Sequence, residues 1–121
     1  MEDRIRKIVT DREWLVNWLS DAFDTSPWFE VVKYYPPSTS SEYVCREEKW
    51  ASALLNGGYI IVNDPEEGEK HKVKLEDIIK GFEKFIFDCP EEYANMMTEN
   101  YDFYDADCLL QIVIFGEVTY A

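Results

Sequence analysis

The chain has 121 residues, with 46% hydrophobic and 16% aromatic content, so it can bury a core without disulfide or metal staples and is too apolar to be disordered. Its 25 acidic and 12 basic residues leave a formal net charge of −13, a field that repels nucleic acid, anionic lipid and nucleotides and attracts basic protein surfaces. No apolar run approaches the ~18 residues of a membrane span, and the opening Met1-Glu2-Asp3-Arg4-Ile5-Arg6-Lys7 lacks the apolar segment of a secretory signal, so a single cytoplasmic domain over 1–121 is expected.

Residues 4–9 read as a short strand with Ile5, Ile8 and Val9 as its apolar members. Thr10-Asp11-Arg12-Glu13 has the pattern of a capping box and predicts a helix starting there. Trp14, Leu15, Trp18, Leu19, Ala22 and Phe23 fall on one face of that helix, which should end before Pro27. Trp28–Tyr35, rich in aromatic and β-branched residues, predicts a strand. Residues 36–41, Pro-Pro-Ser-Thr-Ser-Ser, predict a mobile loop. A helix then starts at Ser41 or Arg46 and runs to Asn56, with Trp50, Ala53 and Leu54 inward and Gly57-Gly58 ending it.

Tyr59–Asn63 and Lys70–Leu75 predict a β-hairpin whose loop, Asp64-Pro65-Glu66-Glu67-Gly68-Glu69, is acidic. From Leu75 to Phe87 the residues Leu75, Ile78, Ile79, Phe82 and Ile86 recur at helical spacing, with Glu76 and Asp77 in the first turn. Pro90 suits the first position of a short helix to Thr98. Cys108–Phe115 is apolar almost all round, which fits a buried helix or a central strand. Asp105 as N-cap and Gly116 as C-cap favour the helix. The expected fold class is α+β: a small antiparallel sheet with a β-hairpin, packed against four or five helices.

Three segments in this order, Ala53-Leu54-Leu55-Asn56-Gly57-Gly58, Leu75-Glu76-Asp77-Ile78-Ile79-Lys80-Gly81-Phe82, and Asp105-Ala106-Asp107 continuing through Leu110-Gln111 and Phe115-Gly116-Glu117 to Tyr120, carry a resemblance. Over residues 50–121 the chain resembles a group of small acidic proteins encoded in prophages and mobile elements of gut Firmicutes. The resemblance implies an α+β domain with a helical last segment, and a mobile-element origin. It implies no activity. Members tend to carry Tyr-Trp-Cys after the first helix, where this chain reads Ser26-Pro27-Trp28-Phe29.

No catalytic constellation stands out, and no enzyme activity or cofactor is expected. His71, the single histidine, sits between Lys70 and Lys72 and reads as exposed and solvated. Every histidine-based nucleophilic or two-histidine metal scheme would depend on it. Phosphate-loop, dinucleotide and zincin motifs are absent. Asp102-Phe103-Tyr104-Asp105-Ala106-Asp107 lacks the oxygen spacing and the glycine of a calcium loop, and reads as a helix start with Asp105 capping. Cys45, Cys89 and Cys108 are odd in number and widely spaced, and are expected to be unpaired thiols.

What does stand out is charge. After Lys84 there is no lysine or arginine, while Asp88, Glu91, Glu92, Glu99, Asp102, Asp105, Asp107 and Glu117 follow. At one charge per ~1.7 Å of duplex axis, eight carboxylates match roughly 14 Å of DNA, provided they share a face. The candidate protein-binding residues are therefore Glu66, Glu67, Glu69, Glu91, Glu92, Glu99 and Asp102. An alternative surface is aromatic: Trp28, Phe29, Tyr34, Tyr35 and Tyr43. The expected function is that of a phage or mobile-element protein that binds a basic host protein. The expected partner class is a nucleic-acid-binding defence enzyme, inhibited by mimicry as an anti-CRISPR protein would. Direct nucleic-acid binding and membrane association are not expected. Two alternatives remain: a nucleotide-sequestering protein using Arg46, Lys49, Lys33 or the Lys70–Lys74 strand, and a self-associating phage assembly protein, as a homodimer.

Overall fold

Periodicity, caps and proline positions divide the chain into nine elements, and the computed structural model, which describes residues 2–25, 28–37, 45–98 and 100–119, contains nine. They are α1 (Glu2–Val9), α2 (Arg12–Thr25), β1 (Glu30–Tyr35), α3 (Arg46–Leu55), β2 (Tyr59–Asp64), β3 (Glu69–Lys74), α4 (Leu75–Asp88), α5 (Pro90–Met96) and α6 (Phe103–Phe115). The fold is α+β, with a three-stranded antiparallel sheet in the order β1-β2-β3. Most of the predicted loop at 36–41 lies outside the described residues.

The first element is a helix where a strand was expected. Ile5 and Val9 are buried one helical turn apart, a spacing that the short apolar set fits as well as it fits a strand. Glu2 and Asp3 in the first turn and Arg6 and Lys7 in the last complement the helix macrodipole. Arg6 also holds Glu76 of α4 with two hydrogen bonds of 2.7 and 3.1 Å. This extra helix brings the number among the described residues to six, above the four or five expected.

The cap of α2 is Asp11 rather than Thr10. The Thr10 hydroxyl donates to the Arg6 carbonyl (2.6 Å) and closes α1. Asp11 Oδ1 is left to accept from the Trp14 amide (3.3 Å). At the far end of the chain the shift runs the other way. Asp102, not Asp105, caps α6: its Oδ1 accepts from Tyr104 N (2.8 Å) and Asp105 N (3.2 Å). Asp105 is the third residue of a capping box, its Oδ2 accepting from Asp102 N (3.1 Å). Gly116, at φ +81°, ends the helix in the left-handed conformation.

α6 is the centre of the molecule. Cys108, Leu109, Leu110 and Ile112 are buried, and the apolar segment is a helix rather than a strand. On one side Trp18 of α2 donates its indole N–H to the Ala106 carbonyl (3.2 Å). On another α4 approaches closely through Gly81, where a Cβ would lie 2.6 Å from Val113 Cγ2 and 3.0 Å from its Cα. Trp14 stacks on Trp18 (5.9 Å), and Phe82, Phe85 and Tyr93 pack edge-on nearby. The buried cluster continues without a break from α1 to the inner face of the sheet.

In the sheet, β2 alternates half-buried and buried residues, with Ile60, Val62 and Asp64 inward. The hairpin turn is tighter than the sequence suggests: Asp64 and Glu69 already pair. Asp64 Oδ1 accepts from Glu66 N (3.0 Å) and Glu67 N (3.4 Å), and Gly68 supplies a positive φ of 69°.

The close α4–α6 contact yields a test. Gly81→Ala should lower stability by about 1–2 kcal/mol, because overpacking outweighs alanine's better helix propensity. Glu83→Ala, at an exposed position of the same helix, should stay within about 0.5 kcal/mol. Urea unfolding followed by circular dichroism measures both.

Candidate interaction surface

The acidic residues singled out by the sequence form two groups. Glu66, Glu67 and Glu69 are exposed at the hairpin tip. The tip lies just before His71, whose ring meets Phe115 edge-on (5.8 Å) at the C-terminal end of α6. Glu91 and Asp102 are exposed and Glu92 half-buried where α5 meets the N-terminal end of α6. A 13-residue helix is about 20 Å long, so the two groups lie near opposite ends of α6. Glu99 lies outside the described residues. Asp105 is buried, and Asp107 is half-buried with Oδ2 accepting from Gln111 Nε2 (2.8 Å), so the eight carboxylates after Lys84 do not make one strip.

The second group is the more structured of the two. Burial pushes the Cys108 thiol up to about 11, with Cys89, Glu92 and Asp107 adding to the rise. The Tyr104 hydroxyl donates to Cys108 and is pushed up to about 12 by that bond first, with Glu92 and Cys89 contributing. Cys89 is raised by burial, then by Glu92 and Asp88. Asp105 is raised by burial, against the opposing hydrogen bond from the Asp102 backbone. Burial and then the charge of Asp21 raise the Tyr101 hydroxyl. These shifts place Asp88, Cys89, Glu92, Tyr104 and Cys108 within one electrostatic neighbourhood.

Around them lie residues the sequence reading missed. Seven large hydrophobic side chains are exposed among the described residues, and four of them, Phe87, Met97, Phe103 and Tyr104, belong to the end of α4, the end of α5 and the start of α6. Phe87, at 72% exposure, is the most open. One signal was present: Phe87 falls off the apolar stripe of α4, and an aromatic residue on a polar helix face has no core to serve.

The aromatic alternative breaks up. Phe29 is a core residue, 5% exposed and 5.5 Å from Phe115. Trp28 and Tyr34 are half-buried against the same core. Tyr35 is 54% exposed and stacks on Tyr59 (5.6 Å, 21°). Tyr43 lies outside the described residues. Strand alternation explains the split, because Tyr34 and Tyr35 must face opposite sides of the sheet.

His71 is not solvated as expected. Its side chain is 22% exposed, packed on Phe115, with Nε2 3.9 Å from Glu69 and without a hydrogen bond. No group of three His, Cys, Asp or Glu side chains among the described residues is arranged to hold a metal ion. Of the cations considered for a ligand, Arg46 is engaged with Asp24 (2.6 Å) and Glu47 (2.9 Å) and covers Trp50. A shallow groove of about 590 Å³ runs beside Trp14, Met96 and Met97, with Arg4 and Lys7 at its rim.

Comparison with protein families, with curated proteins and with solved structures finds no match to this chain. No helix among the described residues is long and apolar enough to cross a membrane.

All three cysteines are free: Cys45 exposed, Cys89 half-buried and Cys108 buried. With the Cys108 thiol near 11, only roughly one part in a thousand is thiolate at pH 8. Iodoacetamide should alkylate native Cys45 fastest, Cys89 slowly and Cys108 slowest, with all three equally reactive after denaturation. Peptide mass spectrometry over time reads the order, and prompt native labelling of Cys108 would contradict it.

Proposed function

We propose that this chain is a non-enzymatic, cytoplasmic protein of a phage or mobile element that binds a basic host protein, with the surface where α4, α5 and α6 meet as its contact. The observation that carries this reading is the pairing of exposed hydrophobic anchors with a mostly acidic surround, in which Arg4 and Lys7 flank Met97 alone. Phe87, Met97, Phe103 and Tyr104 are exposed in a stretch whose charged residues are all acidic. Aromatic anchors ringed by polar groups are the usual composition of a binding surface. The acidic rim adds selectivity for a basic partner and speeds encounter at low salt. The partner class that suits it is a nucleic-acid-binding enzyme, such as a defence nuclease, whose basic groove the carboxylates would occupy in place of phosphates.

The same features speak against an isologous dimer through this face. Two-fold symmetry would bring Glu91, Glu92 and Asp102 of one copy against the same residues of the other. The mobile-element origin rests on the resemblance over residues 50–121.

Charge reversal tests the reading. Glu91→Lys with Glu92→Lys, and separately Tyr104→Ala, should each weaken capture of the basic partner at least about tenfold, or 1.4 kcal/mol. Glu2→Lys with Asp3→Lys, on the exposed start of α1, should change it less than threefold. Asp11 and Asp102 are unsuitable for reversal because both cap helices. Biolayer interferometry against a panel of purified nucleases and DNA-binding enzymes, at low and moderate salt, measures the effect. Equal losses from both charge-reversal sets would reduce the acidity to a solubility feature.

A further inference from the structure

The net charge conceals a surface of the opposite sign. Sheet register sorts the strand residues into two faces, and directly paired residues share a face. On the outer face one row is Tyr35, Tyr59 and Lys74; the next is Lys33, Ile61 and Lys72; the third is Glu30, Asn63 and Lys70. Four of the chain's 12 basic residues therefore stand on one small face, with Glu30 as the single carboxylate in those rows. Lys33, Tyr35, Lys70, Lys72 and Lys74 are all exposed, so no described element covers the face.

The face also carries stacked rings. Tyr35 lies on Tyr59 at 5.6 Å with planes 21° apart, and Lys72 Nζ sits 4.3 Å from the Tyr59 ring centre on the lysine-rich side. Lysines on edge strands guard against unwanted strand pairing, and since β1 and β3 are both edges this accounts for the four lysines but not for the rings. Edge protection does not call for an exposed tyrosine stacked on a second one.

We propose that this face binds a short segment of single-stranded nucleic acid, with Tyr35 stacking a base and Lys33, Lys70, Lys72 and Lys74 contacting phosphates. Alternate residues of a strand are about 6.6–6.8 Å apart, so Lys70 to Lys74 offers a row of cations about 13 Å long, and Lys33 a second line two strands away. Exposed aromatic rings beside a cationic track are the two elements of sequence-tolerant single-strand binding. An acidic peptide would use the cations and leave the rings idle, and this decides for nucleic acid. Glu30, Glu66 and Glu67 stand at the hairpin end beside Lys70, so the strand's path is drawn toward the Tyr35–Lys74 end and Lys70 is its outermost phosphate contact. Glu91, Glu92 and Asp102 lie behind the sheet at the far end of α6, beyond a Debye length of about 8 Å at physiological ionic strength. Local charge, and not the total of −13, then governs contact.

Fluorescence anisotropy with the full chain and a labelled oligothymidylate of about 12 nucleotides tests this. Binding at low salt should weaken with a log–log salt slope of about −2 to −3, as three or four phosphate contacts require. Tyr35→Ala should cost roughly fivefold to a hundredfold in affinity, as the loss of one stacked base does, whereas Tyr35→Phe should retain it. Lys72→Gln with Lys74→Gln should flatten the slope, and so should Lys33→Gln with Lys70→Gln, which keeps the test open if one pair fails to fold by circular dichroism. Absence of oligonucleotide binding by the folded wild-type chain at low salt would overturn the proposal. So would binding that Tyr35→Ala leaves unchanged and poly-glutamate displaces, which would assign the face to an acidic protein or a second copy.

Discussion

A helix without a polar face must be enclosed, and α6 is such a helix. Its apolar residues point in every direction, so α2, α4, α5 and β3 are placed around it as a sheath. Two contacts show how tight that sheath is. The Trp18 indole N–H reaches the Ala106 carbonyl, and Gly81 brings the α4 backbone against Val113, where only a hydrogen fits. Burying one large apolar side chain contributes about 1.5–3 kcal/mol, so a helix with Leu109, Leu110 and Ile112 all buried outweighs the local preferences of its neighbours.

Enclosure decides where the charge goes. A helix buried along its length leaves only its ends near water, and the carboxylates gather near both ends. Asp102 can satisfy the first amides of α6 and stay exposed, while Asp105 is drawn inward and its carboxyl is raised by burial. Near the other end, the hairpin turn is tied by Asp64, and its glutamates face solvent. The sheet packs on this sheath by one face only, so β-strand alternation turns the lysines of β1 and β3 to the other. The molecule has acidic helix ends and a basic sheet face, a separation that net charge averages away.

Much of the architecture was legible in the chain. Helical spacing marked α2 and α4, Pro90 marked α5, Gly57 and Gly116 marked helix ends, and β-branched and aromatic runs marked β1 and β2. The cap errors were of one kind, a competition between neighbours for the same role. Thr10 and Asp11 both qualify as caps, and the Thr10 hydroxyl went to Arg6. Asp102 and Asp105 both qualify, and reciprocal hydrogen bonds gave each one half of a capping box. Residues 4–9 are too few for their apolar spacing to distinguish a strand from a helix. The surfaces were less legible. Phe29 and Tyr35 are both aromatic strand neighbours, yet one packs on Phe115 and the other faces solvent.

The sequence by itself determined the α+β class, the acidity, the hairpin and the free thiols, because these follow from composition and short-range pattern. Tertiary structure alone decided that residues 2–9 are a helix, that Phe87, Phe103 and Tyr104 border the acidic α5–α6 end, and that Lys33 shares a face with Lys70, Lys72 and Lys74. The physical reason is range. Caps and periodicity act over three or four residues, whereas pairing Lys33 across β2 with Lys72, or setting α4 against α6, joins positions that are neighbours only once the core has closed.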